Sequence, residues 1–325
     1  MRDAPGYCVP NPAATRMRMP VHSQGEIMRY FKAMLVAGAL LANGNVCANT
    51  TVAESFGGTS APNWTLSGTA QLTAPSLDTA GNGWLRLTDA ANGGTGYAYY
   101  TQSIPTNQPI SVDFDFAMSS GSSPPADGLT FFLYDSTVTF SGGAGGGTFG
   151  YMCCPGLAGG ALAVGISAGY PSQFVNGVAS SIAIAGPQPN YAFIAGSSGL
   201  NPTPYAGARG LAPSDPNYRH LHILMNPTAN AGELSLTVTM QAGTTTNTIL
   251  NGVVVSGLPA NVNFGLSAAT GGAVATMEAR NFSLQSGIAP IIPTPGLSTL
   301  GRLLLLAGLL ALAIGAFISR RRSAC

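Results

Sequence analysis

Apolar and polar residues alternate with a period of two over much of the chain's interior. In GWLRLTD, Leu85 and Leu87 oppose Trp84, Arg86 and Thr88; in PISVDFDFAM, Val112, Phe114 and Phe116 oppose Ser111, Asp113 and Asp115. ELSLTVTMQ sets Leu234, Leu236, Val238 and Met240 against hydroxyl-bearing neighbours. Side chains on a strand point alternately to its two faces, so each segment predicts an antiparallel strand with one face on a core. Residues 129–134, apolar but for Thr130, and 161–166 predict central strands. Gly-Asn, Asp-Gly and Gly-Gly turns separate these runs, no helical period appears outside the two ends, and no repeat of fixed length is present. Together they predict one all-β domain, an antiparallel β-sandwich. The Pro- and Gly-rich residues 187–213 predict long surface loops.

The two ends follow a different pattern. Met28-Arg29-Tyr30-Phe31-Lys32 precedes the apolar run 33–42, and Val46-Cys47-Ala48 offers a small-residue cleavage site. Basic, then apolar, then cleavable is the order of a secretory signal peptide, here residues 28–48. Residues 1–27 carry no periodic pattern and read as an over-extended start, with Met28 as initiator; a long basic leader is the alternative. At the other end, residues 288–300 form a linker, 301–319 an apolar segment and 320–325 a basic tail with Arg320, Arg321 and Arg322. The 17 apolar residues 303–319 would reach about 25 Å as a helix, enough to span a bilayer with the flanking residues. The arginines predict a cytoplasmic tail and an exported body before it. Ile292-Pro293-Thr294-Pro295, then the apolar helix, then the arginine cluster resembles the IPTL-CTERM sorting signal of Gram-negative bacteria, with Pro295 in place of its leucine. The resemblance implies an inner-membrane-anchored intermediate, a sorting protease as partner, and final placement at the cell surface or outside the cell.

Charge sharpens this division. The body between residues 49 and 289 contains no lysine, and its four arginines stand against ten carboxylates, a balance of −6 that the +1 of the whole chain conceals. Phosphate binding needs clustered cations, so nucleic acid is excluded as a partner. Asp113 and Asp115 lie about 7 Å apart on one strand face, but read as a solvated face and not as a hydrolytic pair. His220 and His222 have metal-compatible spacing, yet lack a third histidine and read as an exposed strand face. The adjacent Cys153 and Cys154 cannot tie distant segments together; a vicinal disulfide, a bond to another chain and free thiols all fit them.

Several segments in order resemble the L-type (legume-like) lectins in their bacterial form, over roughly residues 54–284. PADGLTFFLYD, with Asp127, is similar to the family's aspartate loop. GGAGGGTFGY followed by GGALAVGIS is similar to its glycine loop and the strand after it. NFGLSAATGG resembles the late strand that ends at the sugar site, and EARNFSL the closing strand. YRHLHILMNPTANAGELSLTVTM resembles a hairpin of the back sheet.

The resemblance implies a concanavalin A-like jelly roll over residues 49–287 and no catalysis; the Glu-x-Asp-x-x-Glu strand of laminarinase-type enzymes is missing. It implies a carbohydrate site formed by Asp127, Gly145, Gly146, Gly147, Thr270, Gly271 and Gly272, with a cis peptide at Ala126–Asp127. A sugar offers hydroxyls and apolar C–H faces, which a carboxylate, backbone N–H groups and an aromatic ring can meet; Tyr151, Tyr170 and Phe174 are the candidate rings. Metal-binding members hold calcium and manganese with a Glu-x-Asp pair, where this chain has Gly165 and Ser167, so no metal cofactor is expected. Hard cations need several anionic oxygens, and residues 165–176 supply none. Two functions follow as expectations: a surface-sorted binder of glycans or extracellular polysaccharide, or an envelope or matrix component using the sandwich as a scaffold.

Overall fold

The structure, a computed structural model, describes residues 50–287 other than residue 75. The predicted start, signal peptide, sorting motif, membrane helix and basic tail lie outside the described residues.

The alternating segments form strands where expected. In chain order these are β1 (Thr50–Glu54), β2 (Trp64–Gly68), β3 (Gln71–Leu72), β4 (Leu85–Thr88) and β5 (Thr95–Pro105). Next come β6 (Ile110–Ser119), β7 (Gly128–Asp135), β8 (Gly160–Ser167), β9 (Ile182–Ala185) and β10 (Phe193–Gly196). The last five are β11 (Arg219–Pro227), β12 (Glu233–Ala242), β13 (Thr245–Ser256), β14 (Asn261–Ala269) and β15 (Thr276–Ser286). One 3₁₀ turn, Gly146–Thr148, is the sole helical element among the described residues.

The strands make two sheets. One runs β13-β12-β11-β6-β15-β4-β3, with β1 also paired to β15; the other runs β10-β9-β8-β7-β14-β5-β2. All strand pairings are antiparallel. The main core lies between the sheets and takes the apolar parity of each strand: Val112, Phe114 and Phe116 from β6, Leu129, Phe131 and Leu133 from β7, Leu234, Leu236 and Val238 from β12. Trp64, Phe264 and Phe282 meet there edge-on and face-on at 5.0–5.8 Å.

Segments 129–134 and 161–166 are central strands because the seven-stranded sheet is covered twice. Residues 136–159 and 170–181 fold over its outer face and build a second cluster, in which Phe149, Tyr151, Leu157 and Phe174 pack on Tyr97, Phe132 and Tyr134. Hydroxyls pin this cover down: Tyr97 donates to the Gly143 carbonyl at 2.6 Å, Tyr151 to Gly186 at 2.9 Å and Ser267 to Phe149 at 2.7 Å. Cys153 and Cys154, in the same cover, are joined as a vicinal disulfide.

Three sequence expectations need correction. First, residues 187–213 are more than surface loop: Phe193–Gly196 adds an edge strand to β9. Arg209, in the same segment, reaches back to Glu278, Nε to Oε2 at 2.6 Å and Nη2 to Oε1 at 2.6 Å, and to Asp78 at 2.9 Å. Trp84 lies between the Arg209 and Arg280 guanidinium groups, at 5.3 and 4.6 Å.

Second, Asp113 and Asp115 are not a solvated face. β6 pairs with β11 so that His220 faces Asp115 and His222 faces Asp113. The Asp113 Oδ1 lies 2.8 Å from His222 Nδ1 and 3.3 Å from His220 Nε2, and Asp115 Oδ1 lies 2.9 Å from His220 Nδ1. Asp115 also accepts from the Tyr218 hydroxyl at 2.6 Å and the Asn281 amide at 2.7 Å, and is only 4 % exposed. Third, and for the same reason, His220 and His222 are not a free strand face. Burial alone would lower the His220 pKa, but its bonds to Asp113 and Asp115 outweigh that and push it up to about 9. Burial raises the Asp113 carboxyl while His220 and His222 pull it down, and the histidines win.

Candidate functional site

The rim is built where β7 begins and β14 ends. Gly128 pairs with Ala269 on one side and Ser167 on the other, so the residue before β7 falls beside the loop after β14. The Ala126–Asp127 peptide is cis. Backbone bonds hold Asp127 on both flanks: its N–H donates to Ala269 at 3.1 Å, and its carbonyl accepts from Ala168 at 2.9 Å. The glycine loop closes from above through its 3₁₀ turn, stabilised by the Thr148 hydroxyl donating to the Ala144 and Gly145 carbonyls.

These segments converge on one oxygen. A Cβ on Gly271 would lie 3.0 Å from Asp127 Oδ2, and one on Gly146 would lie 3.8 Å from the same atom. Gly146 also takes φ +63°, a backbone region that L side chains seldom adopt. Both positions therefore need glycine for the loops to close on the carboxylate. Asp127 is 6 % exposed, and Oδ2 is buried with no hydrogen-bond partner. Burial lifts its pKa to about 6, with the Gly271 N–H acting the other way. A buried carboxylate oxygen without a partner, as Oδ2 is here, is an acceptor in need of a donor.

The other expected residues divide. Gly147 borders the site through Ser172, and its carbonyl accepts from the Phe174 N–H at 2.9 Å. Gly145 and Gly272 are exposed at the rim, and around Gly272 a Cβ would meet open space. Thr270 does not offer its hydroxyl to a ligand. That group donates to the Ala91 carbonyl at 2.7 Å and accepts from the Gly94 N–H at 2.9 Å, and the residue is 1 % exposed. Thr270 is instead the clamp that fixes the 91–94 turn. Of the candidate rings, Tyr151 and Phe174 are completely buried, whereas Tyr170 is 43 % exposed. Tyr170 follows two residues after Ala168, and its carbonyl accepts from the Ser167 hydroxyl at 3.0 Å.

Ser172 is a rim residue that sequence reasoning did not select. It is 4 % exposed and its Oγ has no partner. A Cβ on Gly147 would lie 3.3 Å from the Ser172 Cβ. A lone serine in GYPSQF gives no signal of this; only the closing of loop 170–181 on the glycine loop brings it in.

The calcium and manganese implied by the resemblance do not fit these residues. A Cβ on Gly165 would fall 2.3 Å from the Phe174 ring, so an aromatic side chain fills the space an acidic residue would need. Phe174 is itself stacked on Phe149 at 5.0 Å, nearly parallel. The Ser167 hydroxyl is taken by Tyr170, and among the described residues no three His, Cys, Asp or Glu side chains cluster as metal ligands.

Two antiparallel sheets, with a buried carboxylate where β7 and β14 meet a glycine loop, define the class: the fold is the legume-lectin sandwich. Solved structures to which the chain is similar include the Bauhinia forficata lectin in complex with GalNAc, at TM-score 0.53 and 16 % identity, over 74 % of this chain and 98 % of that one. The basic winged bean lectin with Tn-antigen matches at TM-score 0.53 and 19 % identity, over 74 % and 100 %. Arcelin-5, a lectin-like defense protein from Phaseolus vulgaris, matches at TM-score 0.51 and 13 % identity, over 75 % and 100 %. Identities this low speak for the fold alone. No family model matches the sequence, and no curated protein does.

Proposed function

We propose that residues 49–287 form a non-catalytic carbohydrate-binding domain that works without metal, and that the chain is exported and sorted to the cell surface. The observation that carries the reading is the buried, unpartnered Asp127 Oδ2, with the backbones of Gly146 and Gly271 closing on it. An ionised carboxylate there accepts from a sugar hydroxyl, and charge-assisted bonds of this kind are among the strong ones. Tyr170, exposed and two residues beyond the Ala168 that bonds the Asp127 carbonyl, is the ring offered to a C–H face. The similar lectin structures with GalNAc and Tn-antigen support the same class of ligand. Export rests on the signal-like residues 28–48 and the sorting-like 288–325. The filled space at Gly165 supports metal independence.

The test is a glycan array followed by titration calorimetry, comparing wild type with Asp127→Ala, each with and without a chelator. The expected result is sugar binding that survives chelation and falls at least tenfold in the variant. Silence across the array, or affinity indifferent to Asp127, would remove the reading and leave the sandwich as a scaffold of the envelope or matrix.

A further inference from the structure

At the far end of β7 from Asp127, the outer face of the seven-stranded sheet opens again. A cavity of 370 Å³ lies between Tyr99 and Thr101 of β5, Tyr134 of β7, Asn263 of β14 and residues 136–140. Ligand sites commonly occupy roughly 300–1,000 Å³.

The sequence and register explain why the cavity exists. Asn263 lies opposite Tyr134, on the parity of β14 that faces away from the inter-sheet core, since its neighbours Val262 and Phe264 belong to that core. Between Val262 and Phe264 the pairing of β14 with β5 shifts register, and such irregularities re-aim side chains. The covering loop is preformed: Asp135 Oδ1 accepts from the Thr137 N–H at 2.9 Å and its hydroxyl at 2.8 Å. Phe140 then stacks on Tyr99 at 3.8 Å and meets Tyr134 edge-on at 5.6 Å, so the aromatic wall is braced.

The Asn263 amide bonds the Tyr134 hydroxyl and works against the upward push of burial on its pKa, but the amide oxygen is left over. Asn263 is 5 % exposed, and its Oδ1 is buried with no hydrogen-bond partner. An acceptor left so is unfavourable, and a donor entering the cavity removes that cost. The hydroxyls of Thr101, Ser136, Thr137 and Thr139 surround the opening, and no acid, base or histidine lines it. An aromatic wall, a buried acceptor and a neutral hydroxyl-bearing mouth suit a neutral polyhydroxylated ring.

We propose that this cavity is a second ligand site, which binds one neutral pyranose residue with a sugar hydroxyl donating to Asn263 Oδ1 and the ring lying against the Tyr99–Phe140 wall. Gly128 and Tyr134 lie six residue steps apart on β7, about 20 Å along the strand. The aromatic cluster of Phe132, Phe149 and Phe174 fills the sheet face between them. The cavity is therefore separate from the rim and does not depend on Asp127.

The experiment uses the full chain and a panel of neutral methyl pyranosides, read by saturation-transfer NMR and calorimetry. Binding is expected in wild type and in Asp127→Ala. Added to Asp127→Ala, in which the rim is silent, Asn263→Leu, which keeps the volume and loses the acceptor, and Thr101→Trp, which blocks the mouth from an exposed position, should each lower the remaining binding at least tenfold. If Asn263→Leu fails to fold, Thr101→Trp decides. Three results overturn the proposal: no pyranoside bound by Asp127→Ala, undiminished binding by a folded Thr101→Trp, or undiminished binding by Asn263→Leu. Loss of all binding in Asp127→Ala alone would sink this site while sparing the rim; binding retained there, lost on adding Thr101→Trp and equal to that of wild type would uphold this site and sink the rim.

Discussion

Asp127 is a carboxyl kept from water with no counter-charge, and that has a cost the protein can be made to reveal. Burial raises its pKa from the ordinary 3.8 to about 6. The native state thus holds this proton more tightly than the unfolded chain does. Its stabilising contribution is full below about pH 4 and is lost as the pH rises through about 6. Asp127→Asn is expected to match wild type near pH 4 and to exceed it near pH 8 by on the order of 1–2 kcal/mol, while binding less sugar. Denaturant unfolding at both pH values checks this, and a pH-independent difference would refute it. Asp127 and the glycines around it were legible in the sequence only through the resemblance of PADG and GGAGGG to the family's loops; alone they read as a turn. Thr270 was misread because the groups that occupy its hydroxyl, Ala91 and Gly94, lie 179 and 176 residues away. Composition names a hydroxyl, and only the assembled turn says whether it is free.

Between elements, the β6–β11 pair carries a charge ladder that period-two alternation could not disclose. Alternation assigned Asp113, Asp115, His220 and His222 to outward faces, correctly, but it does not say which strands are neighbours. Once β6 and β11 pair, carboxylates and imidazoles more than a hundred residues apart become partners. His220, with its folded pKa near 9, contributes stability that is complete below about 6.5 and fades as the pH rises through about 9. The Asp113 and Asp115 carboxyls, held below their usual range, contribute above about 3.8 and lose that contribution in acid. Maximum stability from the ladder therefore falls between about pH 4 and 6.5. Wild type should lose on the order of 1–2 kcal/mol between about pH 6.5 and 9.5, and His220→Gln should flatten that slope. Melting curves across the range test it; an identical slope in the variant would rule the ladder out as its source.

At the scale of the whole fold, the four arginines among the described residues are spent on architecture. Arg86 and Arg209 both pair with Glu278, which is 1 % exposed. Arg219 donates to the Thr203 carbonyl at 2.8 Å and Arg280 to Leu211 at 2.7 Å. Together they strap residues 203–211 onto the eight-stranded sheet. Removing one partner from a buried ion pair costs roughly 3–5 kcal/mol when nothing else compensates. Because Arg86 remains on Glu278, Arg209→Met is expected to cost about 2–3 kcal/mol. Asp78→Asn, at the more exposed end of the same network, should cost less than about 1 kcal/mol. Equal costs, measured by urea unfolding, would show that the strap does not depend on Glu278. The sandwich itself was legible, since alternation, apolar central runs and turn residues agreed on one architecture. The strap was not, because a Pro- and Gly-rich segment reads as loop whether it floats or is bolted down by arginines from distant strands.

The seating of Phe149 and Phe174 on the glycines of β7 and β8 bears on how this protein can be diversified. A Cβ on Gly128 would collide with Phe149 as one on Gly165 would with Phe174. The loops that carry the rim are thereby keyed into the sheet like teeth into a lock. Exchanging them wholesale for the loops of another sandwich of this fold would remove part of the hydrophobic interior. New recognition can be introduced by point changes at Gly272 and Tyr170, whose surroundings are open to solvent, with both keys left in place.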